Sequence, residues 1–119
     1  MLVLGVVLVL LLGTAALGPL LISTASVAAY DGQMGQAAYS ASKAAAWSAM
    51  TSVARELRRQ QIDVIDARPP HTETGLATRP LSGTAPKLPE GLDPNVVAAR
   101  IIAAIVDGER DLPVEAFQG

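Results

Sequence analysis

The first thirty residues of this chain carry no charge; Asp31 is the first charged side chain. From Met1 to Ile22, MLVLGVVLVLLLGTAALGPLLI holds one polar residue, Thr14. A run of that length and hydropathy can form a membrane span. It can also be a signal peptide, although no basic residue follows Met1 to form the positive n-region of such a leader. A third reading is the interior of an α/β protein. Val, Leu and Ile without polar alternation are the pattern of a parallel strand covered on both faces. The residues downstream discriminate among the three.

After a turn at Asp31–Gly35, the sequence predicts one long helix from about Gln36 to Gln60, rich in Ala. Its tail, RELRRQQ, puts cations at the C-terminal turns, where the helix dipole favours them. Small residues on both sides of its first half let it pack on two partners at once. Ile62–Arg68 reads as a short strand, ended by Pro69-Pro70. Residues 71–92, rich in Pro, Gly and Thr, form a loop long enough to suggest a functional role. Asp93 and Pro94 supply an N-cap and a first helical position. Val97, Ile101, Ala104 and Ile105 then recur at helical spacing until Gly108 stops the helix. The closing ERDLPVEAFQG has room for at most a very short strand. Strand, helix, strand, loop, helix implies an α/β fold with a parallel sheet. Two strands do not make a stable sheet, so the apolar N-terminus or a partner must add one.

Composition narrows the chemistry. With 119 residues, one domain is expected. The absence of cysteine removes disulfides, thiolate metal sites and thiol catalysis, and one histidine, His71, cannot build a multi-histidine metal site. No metal is expected. Formal net charge is −2 and no Lys/Arg run suggests a nucleic-acid partner. His71 reads as a solvated loop residue, and Trp47 and Met50 as packing residues.

What remains is Tyr39 and Lys43 in AAYSASKAA. Four residues apart on a helix, they share a face. Without context such a pair is a surface feature. As chemistry, a nearby ammonium favours the phenolate, so the pair can pass a proton to an alkoxide or take one from an alcohol. A hydroxyl to hold the substrate oxygen is available at Ser26, thirteen residues upstream after the strand-like PLLISTAS. Parallel folds place ligands at such strand ends.

The segment LLISTASVAAYDGQMGQAAYSASKAA resembles the active-site region of the short-chain dehydrogenase/reductases. The YxxxK motif matches Tyr39 and Lys43, and the upstream serine of the family matches Ser26. Downstream, Pro69 and Thr74 fall at the family's Pro and Thr spacing, with Pro70 where Gly is usual. The resemblance covers roughly residues 19–112, leaving 1–18 as an apolar segment and 113–119 as a tail. It implies a Rossmann-like, doubly wound α/β fold and alcohol/carbonyl interconversion with NAD or NADP. By the same resemblance, Tyr39 is the general acid/base and Ser26 binds the substrate oxygen. Lys43 tunes Tyr39 and holds the cofactor ribose. Pro69, Thr72 and Thr74 lie near the nicotinamide, and loop 75–92 covers the substrate. The family often pairs such long helices, so the helix at 36–60 would be the surface of a homo-oligomer.

Other family features are missing. No GxxxGxG or GxGxxG is present; Gly5, Gly13 and Gly18 have the wrong spacing. The Asn-Ala-Gly strand end is absent, and with it the catalytic Asn. No upstream charge selects NAD over NADP. The expectation is therefore a C-terminal half with the N-terminal half missing: a truncated or mis-started frame, or a remnant. If residues 19–25 are a sheet strand, the apolar start is not a membrane span, and a cytoplasmic protein is expected. The alternatives are an inactive relative acting through protein association, and a small protein anchored in a membrane through residues 1–22.

Overall fold

The computed structural model describes residues 20–26, 28, 35–85 and 87–119. The apolar segment 1–18 and most of the expected turn at 31–35 lie outside them. Among the described residues, no helix is long and apolar enough to cross a membrane.

Three parallel strands form one sheet in the order β1 (Leu20–Thr24), β2 (Asp63–Ala67), β3 (Asp111–Leu112). The register aligns Leu20 with Asp63 and Thr24 with Ala67, then Ala67 with Leu112. Helix α1 (Ala37–Arg58) joins β1 to β2, and α2 (Pro94–Asp107) joins β2 to β3. This is the expected α/β architecture, and the two-residue β3 supplies the third strand.

Alternation along the strands assigns the helices to opposite faces. Leu20, Ile65, Ala67 and Leu112 point to one face, where they bury against Val97 and Ala104 of α2 and against Phe117. Phe117 belongs to a 3₁₀ turn, Val114–Phe117, within the segment read from sequence as a tail. Val64, Asp66 and Arg68 point to the other face, against α1, whose Met50 is buried there. Two crossovers that move the same way across a parallel sheet but use opposite faces have opposite hands. One of the two therefore departs from the usual right-handed rule.

The helix ends follow local chemistry. Asp93 Oδ1 accepts from the Asn95 amide at 2.7 Å, Pro94 opens α2, and Gly108 closes it at φ 72°. In that left-handed conformation the Glu109 amide reaches back to the Ala104 carbonyl at 2.9 Å. Gln61 performs the same turn after α1 at φ 58°, with the Ile62 amide on the Leu57 carbonyl at 3.2 Å. Arg55 and Arg58 occupy the last turn of α1.

Candidate active site

Because β1 and β2 are parallel and in register, both deliver their C-terminal ends to one edge. The ladder runs one step past the strands, with the Ala25 amide donating to the Ala67 carbonyl at 3.0 Å. Continuing the register by two residues puts Ser26 level with Pro69. Ser26 has φ 102°, a backbone conformation that L-residues seldom adopt. Its Oγ accepts from the Ala28 amide at 3.3 Å, turning the chain away from the strand direction.

Helix α1 begins at the same edge. Tyr39 is in its first turn and Lys43 one turn on, both half-buried. Lys43 Nζ lies 5.7 Å from the Tyr39 ring centroid and donates to the Thr24 carbonyl at 3.2 Å. The ammonium thus joins the start of the helix to the end of β1, two residues before Ser26. Burial lowers the Lys43 pKa below that of a free lysine. Nearby, Ser42 Oγ donates to the Tyr39 carbonyl at 2.7 Å. Ser40 Oγ is buried and has no hydrogen-bond partner among the described residues.

Pro69 and Pro70 follow β2 and are half-buried. Thr72 forms an isolated parallel bridge with Leu92, and its hydroxyl turns back to donate to the Pro70 carbonyl at 3.0 Å. Thr74 is exposed, its amide on the Thr72 carbonyl at 2.8 Å. Ser26, Tyr39, Lys43 and Pro69 thus gather at one sheet edge. Thr72 and Thr74 lie three and five residues further along, at the base of the long loop.

That base is fastened. The Leu92 amide donates to the His71 carbonyl and the Glu73 amide to the Leu92 carbonyl, each at 2.9 Å. Glu73 Oε1 accepts from the Gly91 amide at 2.8 Å and lies 3.1 Å from His71 Nε2. His71 is therefore part of this clasp rather than a solvated loop residue. Its signal in the sequence was absent, because the partner strand segment lies twenty residues away.

Sequence reasoning also missed a polar cluster on the α1 face. Arg68, 6% exposed, ion-pairs with Asp66 beside it and with Asp111 of β3 at 2.7 Å. Its guanidinium lies 5.0 Å from the Trp47 ring centroid. A cavity of about 220 Å³ opens beside this cluster, under the C-terminal half of α1, and none of Ser26, Tyr39, Lys43 or Pro69 lines it.

The described residues fit one end of a nicotinamide cofactor. A half-buried ammonium, that of Lys43, stands at the strand-end edge, where ribose hydroxyls could be held. None of the described glycines follows a strand as a pyrophosphate cradle would require. Among the described residues, no cluster of three or more His, Cys, Asp or Glu could hold a metal ion.

The 3-hydroxyacyl-CoA dehydrogenase type-2 of Drosophila melanogaster is 45% identical over 67 residues, which are 56% of this chain and 24% of that protein. The Mus musculus protein of the same name shows the same identity over 67 residues, with the same coverage. The chain thus spans about a quarter of the length of the curated relatives it matches. Among solved structures, an alcohol dehydrogenase from Comamonas testosteroni superposes with TM-score 0.64 at 21% identity, over 81% of this chain and 34% of that one. At that identity the likeness speaks for the fold alone. The 3-hydroxyacyl-CoA dehydrogenase type-2 from Mycobacterium avium gives TM-score 0.58 at 28% identity, over 80% and 40%. The family model described as short chain dehydrogenase matches residues 6–83, more than half of the sequence, and the chain belongs to that family.

Proposed function

We propose that this chain carries the proton-transfer half of an NAD(P)-dependent oxidoreductase that interconverts an alcohol and a carbonyl. One observation carries the reading: Lys43 joins the Tyr39 ring to the Thr24 carbonyl at the strand edge where Ser26 sits. The name of the relatives, 3-hydroxyacyl-CoA dehydrogenase, supports a secondary alcohol or its ketone as the substrate class of this reading. In this reading residues 19–112 carry the functional half, while the family match reaches back to residue 6 and Phe117 of the tail packs into the same core.

Ser26 Oγ donates a hydrogen bond to the substrate oxygen and fixes it within reach of Tyr39. In the reducing direction Tyr39 Oη gives its proton to the developing alkoxide; in the oxidising direction the phenolate takes the hydroxyl proton. Lys43 stabilises the phenolate by its charge and offers its remaining N–H donors to the ribose hydroxyls. Pro69 closes the edge, and Thr72 and Thr74 flank the nicotinamide end. The nicotinamide, when bound, supplies or accepts the hydride. The pyrophosphate end of the cofactor has no cradle among the described residues, so the cofactor is held by its nicotinamide riboside end.

The test is an NMR titration of the whole chain with NADH, NADPH and reduced nicotinamide mononucleotide. Weak binding that perturbs the Tyr39 and Lys43 signals, equal for all three and lost in Lys43→Met, is expected. No perturbation at the two residues, or one confined to the far side of the sheet, refutes the reading. Tight binding that depends on the adenylate end would show that the chain holds more of the cofactor than this half-site.

A further inference from the structure

Arg68 is one residue before Pro69, and its side chain is turned away from the edge into the α1 face. A cation only 6% exposed must be compensated, and it is, by carboxylates from two strands. Asp111 and Asp66 hold its pKa above the ordinary value against the effect of burial. Tyr39, Lys43 and Trp47 follow each other at four-residue intervals, so the ring that Arg68 faces lies on the same stripe of α1 as the proton-transfer pair. Ser23, 1% exposed, sits on β1 in register with Asp66 of β2, on the same face of the sheet. The next residue, Thr24, accepts from Lys43.

These contacts form a closed circuit. It runs from Lys43 to β1 at Thr24, across the β1–β2 ladder where Ser23 pairs with Asp66, from Asp66 to Arg68, and from Arg68 to Trp47. Trp47 lies one turn from Lys43 on α1, and Asp111 adds the third strand. A helix attached only by its small residues could rotate or slide, because Ala and Ser on both sides leave few interlocking side chains. Arg68 removes that freedom, since its planar fork meets two carboxylates of fixed register while its face meets the ring.

We propose that Arg68 is a positioning residue for the Tyr39–Lys43 pair, acting through Trp47 and the two carboxylates to set the rotation of α1 against the strand ends. The proposal rests on the functional reading above for its link to the reaction, but its test does not. The chain has two lysines, Lys43 and Lys87, so lysine ¹³Cε NMR follows the Lys43 titration with one other resonance to assign. Arg68→Lys keeps the charge and loses the fork and the stack. Trp47→Leu keeps every charge and removes the platform. Each is expected to raise the Lys43 midpoint toward the ordinary lysine value, by roughly threefold or more in proton affinity as the ammonium regains water. The double variant should move it no further than either single variant. Leu112→Ala, on the opposite face, should lower the melting temperature and leave the Lys43 midpoint in place. The proposal is overturned if Arg68→Lys and Trp47→Leu behave like Leu112→Ala. Should Arg68→Lys fail to fold, Trp47→Leu alone decides, by the same criterion. The nicotinamide titration on the unmodified chain separates the two claims. A chain blind to nicotinamide whose Lys43 still shifts in these variants overturns the functional reading and leaves the positioning role standing.

Discussion

Replacing Gly91 by Ala tests how firmly the loop that follows the candidate site is anchored. A methyl group built at Gly91 would lie 2.6 Å from the His71 carbonyl oxygen, 2.7 Å from His71 Cδ2 and 2.8 Å from the His71 carbonyl carbon. Ordinary carbon contacts begin near 3.4 Å, so the two backbones must part by about 0.8 Å. Two of the three obstacles are backbone atoms and cannot swing aside. The displacement falls on the Leu92 amide bond to that same carbonyl and on the Gly91 amide bond to Glu73, which together close the loop. Overpacking of this kind costs roughly 1–3 kcal/mol. The stiffer unfolded chain of an alanine returns about 0.4–1 kcal/mol. A net loss of about 1–2 kcal/mol is expected, or a fall of roughly 4–8 °C in the melting temperature. Denaturant unfolding measures the first quantity. Hydrogen exchange at the Leu92 and Glu73 amides shows whether the loss is local, through an opened loop base, or global. A Gly91→Ala chain with wild-type stability and unchanged protection of both amides would refute the reasoning.

Three other expectations concern the scaffold. Leu112, fully buried between the sheet and Phe117, should cost about 2–5 kcal/mol when cut to Ala, measured by chemical unfolding. Asp93→Ala removes the acceptor of the Asn95 amide and should cost about 1 kcal/mol by the same assay, with Asp93→Ser restoring most of it. Asp66 gives a pH-dependent signature. Burial raises its pKa, and Arg68 and Ser23 only partly oppose that, while the Asp111 charge adds to it. A raised folded pKa means the protonated carboxyl favours folding, so the contribution is present below the ordinary aspartate value and lost as pH rises through the folded value. Relative to the wild type, Asp66→Asn should therefore gain stability on going from acid to neutral pH; a difference that is flat or of opposite slope contradicts the burial argument.

The two helices and the order of elements were legible because their signals are local. Asp93, Pro94 and Gly108 mark the ends of α2 by their own chemistry, and the Ala-rich stretch ending in RELRRQQ marks α1 to within two residues. Strand β1 was legible only through Ser26 and the motif after it, since an apolar run alone fits a membrane equally well. The site was legible as a list, because spacing fixes which residues share a helix face. Its closure was not. The Lys43 bond to Thr24 spans nineteen residues and the Arg68 bond to Asp111 forty-three, and no periodicity encodes a contact between separate strands. The Thr72–Leu92 bridge was hidden for the same reason, inside a segment whose composition reads only as loop.

The backbone at Ser26 bears on how such a chain would change under selection. A side chain at φ 102° is held there at a cost of order 1–3 kcal/mol, which a glycine would not incur. A population screened for heat resistance alone should accept glycine at position 26 early and so discard the hydroxyl. Under the role proposed for Ser26, a population screened for turnover keeps serine and seeks its stability elsewhere, in the apolar layer under α2. Position 26 is thus where the two pressures diverge, and the residue that survives there records which of them acted.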